Sequence, residues 1–254
     1  MLTRISVATL NAAHIPTIWP FYKNPRGVRE PAKALAVRIA QIEPDIIHLQ
    51  EVWSDKARDI YRKILPQYRF VHHGSTPIIG RGLMTGWRND RFRLIKSKSW
   101  GWNIRPQLRN GLAQIVLVHR AQDDEFIELW NCHAPPHNDR DRARGIARMQ
   151  AIFRKRHYKR AYITVLAGDL SLRNPKVDTD RDGVKDLQEL ENTFRVRKSD
   201  YDGPWNYILV SKFFPQVGAS NVFGRPQGQQ NTYPLTKEWA QLTDHPMIYA
   251  RFEQ

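Results

Sequence analysis

Apolar residues along the chain fall into short runs separated by clusters of charged and turn-forming residues. Residues 4–10 alternate between polar and apolar positions, and residues 46–49 form an apolar run, so both are predicted strands. Pro31 favours a helix start, and apolar positions recur at helical spacing from there to Ile42. Pro44 ends this helix. The pattern predicts a strand, a helix and a second strand at the start of the chain.

Predicted strands dominate the rest of the chain. A second helix is predicted at 54–65, and residues 68–132 are a run of strands divided by glycine and asparagine turns. The remaining predicted elements are a basic helix at 139–157 and strands at 162–167, 207–210 and 247–252. Helices and strands that alternate early, with strand runs later, predict an α/β fold in which helices flank sheets.

Composition narrows the class of protein only modestly. No run of about 18 apolar residues occurs, so no membrane-spanning helix is predicted. No charged stretch followed by an apolar core follows Met1, so no signal peptide is visible in this chain. Cys132 is the only cysteine, which excludes an internal disulfide, and we interpret it as a buried small residue rather than a nucleophile. The compartment and the oligomeric state stay undetermined.

The net charge of +15 favours a polyanionic partner. Nucleic acid, an anionic lipid surface and a phosphorylated small molecule all satisfy this condition. A basic surface that only confers solubility is the alternative interpretation.

Six short segments place an Asn, Glu, His or Asp at or just after the end of a predicted strand. They are residues 9–11, 49–52, 130–133, 167–171, 205–209 and 243–246. Glu51 follows the apolar strand directly, where a purely structural chain would prefer a turn residue. A hard divalent cation prefers oxygen ligands and usually takes one or two protein carboxylates. The segments therefore supply the side chains needed to hold such a cation and hydrolyse a phosphate ester.

The order and spacing of these segments resemble the endonuclease/exonuclease/phosphatase superfamily. This superfamily includes DNase I, the abasic-site endonucleases, the neutral sphingomyelinases and the inositol-polyphosphate 5-phosphatases. The resemblance extends from Asn11 to His245 and implies one domain over residues 1–254. It also implies two packed mixed β-sheets flanked by helices, a DNase I-like four-layer α/β sandwich. The active site would lie where the strand ends of the two sheets meet.

The resemblance assigns a role to each acidic and amide side chain of the motifs. Glu51 matches the principal ligand of Mg²⁺ (or Mn²⁺), and Asn11 lies beside it in the family. Asp169 matches the aspartate that orients or deprotonates the attacking water. Asn131 would support the site or bind substrate.

The resemblance also assigns two histidines. His133 matches a histidine that contacts a non-bridging phosphate oxygen. His245 follows Asp244 and matches a histidine that acts as general base or as a phosphate contact, and both alternatives stay open.

Two positions depart from the family's pattern. Ser171 stands where the family has an Asn, and serine is shorter with a single donor. Asn206 stands where the family usually has an Asp that orients and charges the catalytic histidine. An amide accepts a hydrogen bond but cannot stabilise an imidazolium by charge. These departures predict slowed, altered or lost activity, unless either motif is misaligned by one position.

A second cation site is predicted at residues 178–189, which fit the spacing of an EF-hand-type calcium loop. The ligand positions one, three, five, nine and twelve are Asp178, Asp180, Asp182, Asp186 and Glu189. Gly183 at position six allows the sharp turn that such loops need. We expect a structural Ca²⁺, and the alternative is an acidic surface loop before a helix. Such loops are commoner in extracellular proteins, so this one would suit a secreted protein.

Basic residues are the candidates for substrate contact. Arg105 and Arg109 precede the strand that leads to His133, so we expect them to contact phosphates. The basic helix at 139–157 is either a phosphate-binding face or a solvated surface.

The combined pattern predicts a metal-dependent phosphodiesterase, in the first place a DNase I-like nuclease acting on DNA. The first alternative is a lipid or inositol phosphodiesterase or phosphatase similar to the neutral sphingomyelinases. The second is a nucleic-acid-binding relative without catalytic activity, which the two departures favour.

Overall fold

A computed structural model describes residues 2–15, 27–73, 82–101, 111–134, 139–172, 183–194, 196–198, 206–211, 216–223, 236–243 and 245–253. The strands are β1 (Arg4–His14), β2 (Ile46–Val52), β3 (Tyr68–His73), β4 (Leu83–Arg88), β5 (Phe92–Gly101), β6 (Gly111–His119), β7 (Gln122–His133), β8 (Ala161–Asp169), β9 (Val196–Lys198), β10 (Asn206–Ser211), β11 (Gln216–Phe223) and β12 (Met247–Glu253). The helices are α1 (Arg29–Ile42), α2 (Asp55–Ile64), α3 (Asp139–Arg156), α4 (Gly183–Phe194) and α5 (Lys237–Ala240).

The described strands form two sheets. The first has the order β11-β12-β1-β2-β4-β3, and the second has the order β5-β6-β7-β8-β10-β9. Each sheet contains one parallel pair, β1 with β2 in the first and β7 with β8 in the second. The other pairs are antiparallel, so both sheets are mixed, as the resemblance implied.

The two sheets pack face to face around the largest apolar cluster. Ile5 and Ile46 of the first sheet and Ile115, Val165 and Ile208 of the second are all fully buried there. These side chains alternate along their strands with others that face outward, which is the pattern of a sheet with two distinct faces. Burial of the two inner faces holds the strand ends of both sheets at a common edge.

Helices cover the outer face of each sheet. Leu35 and Ile39 of α1 pack with Leu49 on the first sheet, while Met149 of α3 and Leu190 of α4 pack on the second. The layers are therefore helix, sheet, sheet and helix. In the described part of the chain, none of the helices has both the length and the apolar composition to cross a membrane.

The predicted boundaries of the first helix are close to those observed. α1 begins at Arg29, so Pro31 lies in its first turn, where a missing N–H costs no helical hydrogen bond. Glu43 ends the helix in a left-handed conformation with a φ of 44°, directly before Pro44. β1 is longer than predicted and continues past Asn11 to His14 through an irregularity in its pairing with β2.

Candidate active site

Strand registers alone bring most of the predicted site residues together. Asn11 on β1 is paired with Gln50, the residue before Glu51 on β2. On the second sheet, Asp169 at the end of β8 is paired with His133 of β7. Because parallel strands end at the same edge, each sheet delivers two polar residues to one end of the sandwich.

The Asn11 side chain joins the two sheets at this end. Its Nδ2 donates hydrogen bonds to Glu51 Oε1 and Asp169 Oδ2, each at 3.1 Å. His133 Nε2 lies 3.5 Å from Glu51 Oε1 and 3.8 Å from Asp169 Oδ2. His245 Nδ1 lies 3.6 Å from the same Asp169 oxygen. Asn11 thus bridges two carboxylates, and two imidazoles lie close to these carboxylates.

The cluster has a closed side and an open side. Asn11, Asp169 and His133 are buried, with 2%, 2% and 4% of their surface exposed. The side chains of Glu51 and His245 are 21% and 15% exposed. The cluster is therefore accessible from the side of Glu51 and His245, and Asp169 lies deeper.

Ser171 fixes the orientation of Asp169. Its backbone N–H and its hydroxyl donate to Asp169 Oδ1 at 3.1 Å and 2.8 Å. The other carboxylate oxygen, Oδ2, faces Asn11 and both histidines. The serine that departs from the family's pattern thus contacts the carboxylate directly, and its hydroxyl hydrogen is engaged inside the protein.

Asn206 supports the segment that carries His245. It is fully buried, it is paired with Asp169 across β10 and β8, and its Nδ2 donates to the Pro246 carbonyl at 2.7 Å. Its Oδ1 has no hydrogen-bond partner among the described residues. The amide therefore holds the backbone immediately after His245. Asp244 lies outside the described residues.

Two further residues position His245, and the sequence analysis did not identify them. Thr243 Oγ1 donates to the Asn11 carbonyl at 2.7 Å and accepts from the His245 N–H at 3.2 Å. Trp239 Nε1 donates to the His245 carbonyl at 2.8 Å. Thr243 belongs to the sixth motif, but its role depends on a backbone contact that no residue spacing displays.

Left-handed backbone conformations cluster in the motif segments. Glu51 and Ser171 have φ values of 57° and 49°, although neither is glycine. Such conformations cost about 1–3 kcal/mol each and persist where the surroundings enforce them, often at functional sites. Gly168 has a φ of 149°, and a Cβ there would lie 1.9 Å from the Cys132 carbonyl oxygen. Glycine is therefore required for β8 to pass β7 closely enough for Asp169 to reach the site.

The architecture matches solved structures over almost their whole length. An endonuclease/exonuclease/phosphatase from Bacteroides vulgatus superposes with a TM-score of 0.70 at 16% identity, covering 99% of this chain and 100% of that chain. D. rerio TDP2 complexed with single-strand DNA product superposes with a TM-score of 0.64 at 15% identity, covering 99% of both chains.

A third match is the mannosyl-6-phosphatase Bt3783 of Bacteroides thetaiotaomicron, with a TM-score of 0.68 at 14% identity over 97% of this chain and 98% of that chain. The chain shares its fold with these three structures. The DNase I-like sandwich predicted from the six motifs is confirmed. No family model matches the sequence, and no curated protein matches it either.

Within this DNase I-like fold, Asn131 lies behind the site rather than in it. It is fully buried, its Nδ2 contacts Leu49 O, Met84 O and Thr85 Oγ1, and its Oδ1 accepts from Gln50 Nε2 at 2.8 Å. A side chain so enclosed supports the strands that carry Glu51 and His133. Of the two expected roles, this placement fits support of the site, and the contact of Asn131 with substrate stays a prediction.

Cys132, next to His133 in the same DNase I-like fold, is a structural residue. It is fully buried beside His133, and burial, together with the nearby Asp169 carboxylate, raises the pKa of its thiol. A thiol with a raised pKa stays protonated and is a poor nucleophile. The structure therefore agrees with the structural interpretation of this residue.

The donor set suits a hard divalent cation. Two carboxylates converge beside amide and imidazole groups, and such concentrated negative charge is stabilised by a cation. Across the described ranges, no group of three or more His, Cys, Asp or Glu side chains is placed to hold a metal ion. Mg²⁺ does not need such a group, because it keeps several waters and binds through one or two carboxylates. Asn11 turns its NH₂ towards the carboxylates and its Oδ1 accepts from Ala13 N–H at 3.1 Å, so it would bind a metal only after rotation of the amide.

The predicted calcium loop is described only in its second half. Asp178, Asp180 and Asp182 lie outside the described residues, as do Arg105 and Arg109. Asp186 is buried in the first turn of α4, whereas Glu189 is exposed and its Oε2 lies 3.5 Å from Gln150 Nε2. The Ca²⁺ site therefore stays a prediction.

Proposed function

We propose that the chain is a divalent-cation-dependent phosphodiesterase of the DNase I type that hydrolyses nucleic acid, with DNA as the first candidate. The clustering of Glu51, Asp169, His133 and His245, with Asn11 bonded to both carboxylates, carries this proposal. The net charge of +15 supports a polyanionic substrate. The complex of D. rerio TDP2 with single-strand DNA product gives independent support for nucleic acid.

Glu51 is the proposed anchor for Mg²⁺ or Mn²⁺, because its carboxylate lies at the open side of the cluster. When bound, such an ion neutralises charge on the phosphoryl oxygens and polarises the phosphorus centre. Asn11 keeps the Glu51 and Asp169 oxygens at fixed positions by donating to both. Fixed polar groups stabilise developing charge more than mobile ones, because they need no reorganisation during the reaction.

Asp169 is the proposed group that orients the attacking water and accepts its proton. Its Oδ2 faces the cluster, while the Ser171 bonds to Oδ1 prevent rotation of the carboxylate. The His133 and His245 rings flank Oδ2 and are placed to donate N–H groups to phosphate oxygens. Proton transfer to a positioned group of this kind typically contributes a rate factor of about 100 to 10,000.

The deciding experiment is nicking of supercoiled plasmid in Mg²⁺, in Mn²⁺ and in EDTA. We expect metal-dependent nicking that falls by about 1,000-fold in Glu51→Gln, which keeps the shape and removes the charge. Glu30→Gln is the matched control, because Glu30 is exposed on α1 and pairs with Lys33. Equal rates for Glu51→Gln and the wild type would refute the metal assignment.

A phosphatase acting on a small phosphorylated molecule is the second candidate. The similarity to a mannosyl-6-phosphatase supports it, since the same fold then serves a phosphomonoester. Folded protein that nicks no plasmid but releases phosphate from para-nitrophenyl phosphate in Mg²⁺ would favour this candidate. Folded protein that binds DNA without cleaving either substrate would favour a binding relative.

A further inference from the structure

Strand β5 forms the outer edge of the second sheet and carries cations without acidic neighbours on the strand. Residues 93–98 are all exposed, and Arg93, Lys96 and Lys98 lie among them. Lysine on an edge strand ordinarily prevents pairing with other chains. That explanation accounts for exposed charge but not for the aromatic rings on which these cations lie.

Around Lys96, positively charged side chains and aromatic rings lie next to each other. Lys96 Nζ lies 4.7 Å from the centre of the Tyr158 ring. Tyr158 packs edge-on against Phe126 at 5.3 Å, and the Arg160 guanidinium lies 4.6 Å from the Phe126 ring. The surface therefore alternates positive groups with aromatic faces.

Near the end of β5, a lysine again lies over an aromatic ring. Lys98 Nζ lies 5.9 Å from the centre of the Trp100 ring, and Trp100 stacks on the buried Trp130 with ring centres 5.9 Å apart. The Trp100 indole is thus held in place by the packing of its inner face on Trp130. Lys96, Lys98 and Trp100 share one face of β5, because alternate residues of a strand point the same way, and they are spaced about 7 Å apart.

The direction of β5 links this surface to the active site. Its last residue, Gly101, is paired with Gly111, and Gly111 is paired with His133. The end of β5 is therefore two strand spacings, about 10 Å, from the backbone of His133. The row of cations and rings therefore extends from Lys96 and Tyr158 towards the end of the sheet that carries His133.

The last turn of α3 borders the same surface with more positive charge. Arg154, Lys155 and Arg156 are all exposed there. The Arg156 carbonyl accepts from Gln114 Nε2 at 2.9 Å, and Gln114 is the residue on β6 paired with Lys98. This contact places the cationic helix end directly beside the lysine row.

We propose that this surface, the β5 track, binds single-stranded nucleic acid and guides it into the active site. The track consists of Lys96, Lys98, Trp100 and Tyr158 with the last turn of α3. The inference rests on the proposed nuclease function, because it specifies the substrate of that same site as an unpaired strand. Phosphates contact the cations, and unpaired bases stack on the rings.

Replacement of the lysine on a ring by a nucleic-acid base is favourable. A base stacked on an aromatic side chain is bound more strongly than a cation on an exposed ring. The displaced lysine then gains a phosphate partner. The bases of a duplex are already stacked on each other, so a duplex cannot use the rings in this way.

The test compares two double charge reversals of equal net charge. Lys96→Glu with Lys98→Glu alters the track, and Lys56→Glu with Lys63→Glu alters exposed positions on α2. Each pair changes the net charge of +15 by 2 × (−2), giving +11. Binding of a fluorescein-labelled thymidine oligonucleotide is measured by anisotropy in EDTA over a range of salt concentrations.

We expect the track variant to bind the oligonucleotide about tenfold or more weakly, and the plot of log affinity against log salt to be shallower by about 1.4. The α2 variant should bind nearly as the wild type does. Equal affinities for both variants would overturn the proposal, as would tighter binding of a duplex than of the single strand. If the double change to glutamate lowers the melting temperature of the protein, the milder variant Lys96→Gln with Lys98→Gln replaces it in the same binding test.

Hydrolysis separates failure of the track from failure of the nuclease proposal. The track variant should have a raised KM for the oligonucleotide and unchanged hydrolysis of bis-para-nitrophenyl phosphate, which is too small to reach β5. An unchanged KM with intact hydrolysis would overturn the track and leave the nuclease standing. Weakened binding in a protein that hydrolyses neither ester would overturn the nuclease and leave the track standing.

Discussion

The two carboxylate oxygens of Asp169 contact different groups. Oδ1 accepts two hydrogen bonds from Ser171, while Oδ2 faces Asn11, His133 and His245. Because the serine is short and directly bonded, the carboxylate keeps one rotational state. The serine that stands where the resemblance implies an asparagine therefore keeps the aspartate in place.

Gly168→Ala should destabilise the protein severely. Its Cβ would lie 1.9 Å from the Cys132 carbonyl, so β7 and β8 must separate, and we expect a loss of about 4 kcal/mol or more of unfolding free energy. Gly27→Ala is the control, because Gly27 has a φ of 64° but a Cβ added there would meet no atom within 4 Å. That control should lose about 1–2 kcal/mol. Equal losses in urea unfolding would contradict the close approach.

Thr243→Val tests the support of His245. Valine has the same shape but removes both the donor to the Asn11 carbonyl and the acceptor for the His245 N–H. We expect kcat to fall about tenfold with little change in KM, and stability to fall by about 1–2 kcal/mol. Thr164→Val, near the start of β8, should lower stability alone. A variant at Thr243 with wild-type kcat would show that His245 needs no such support.

The two parallel strand pairs, β1/β2 and β7/β8, position most of the side chains of the site. Each pair ends in one amide or imidazole and one carboxylate, and buried polar groups connect the pairs behind the site. Gln50 Nε2 bonds Thr9 Oγ1 and Asn131 Oδ1, at 3.2 Å and 2.8 Å. Asn131 in turn reaches β2 and β4. These bonds fix how the sheets are placed relative to each other, which apolar packing alone does not specify.

Asn131→Leu should therefore cost about 3 kcal/mol or more of unfolding free energy, because it leaves buried partners without hydrogen bonds. Gln50→Leu should be similarly costly. The double variant should be less destabilised than the sum of the two, by about 1–3 kcal/mol, since the two side chains share one bond. Additive effects in urea unfolding would show that the two amides act independently.

Sequence patterns predicted the central elements better than the peripheral ones. β2 and β8 are apolar runs that end in a polar motif, so the sequence pattern predicts where both strands lie. β5 was only part of a general strand region, because an exposed edge strand lacks the alternation that burial imposes. The contacts of Thr243, Trp239 and Asn206 depend on tertiary packing, and no local pattern carries that information.

The whole molecule should be sensitive to mild acid. His14 and His48 are fully buried, and burial lowers the pKa of each imidazole from 6.5 to about 3. The unfolded chain then binds more protons than the folded chain from about pH 6.5 down to about pH 3. The free energy of unfolding should fall in this window by up to about 1.4 kcal/mol per pH unit for each histidine.

Urea unfolding at about pH 7 and about pH 5 measures this effect. His48→Gln should flatten the dependence by the share of one histidine, because glutamine does not titrate. Its amide can still meet the hydroxyl of Thr85, which lies 3.2 Å from His48 Nδ1. A stability that is equal at both pH values would contradict the buried, neutral state of these side chains.

The pairing of β12 with β1 has a consequence for biosynthesis. β1 lies between β2 and β12, and His245 stands just before β12. A chain emerging from the ribosome can build the second sheet while β1 still lacks one neighbour and the cluster lacks His245. Domains generally fold as units during synthesis at about 5–20 residues per second. A nascent chain that stops before His245 would therefore lack one of the two imidazoles beside Asp169, whatever the state of the second sheet.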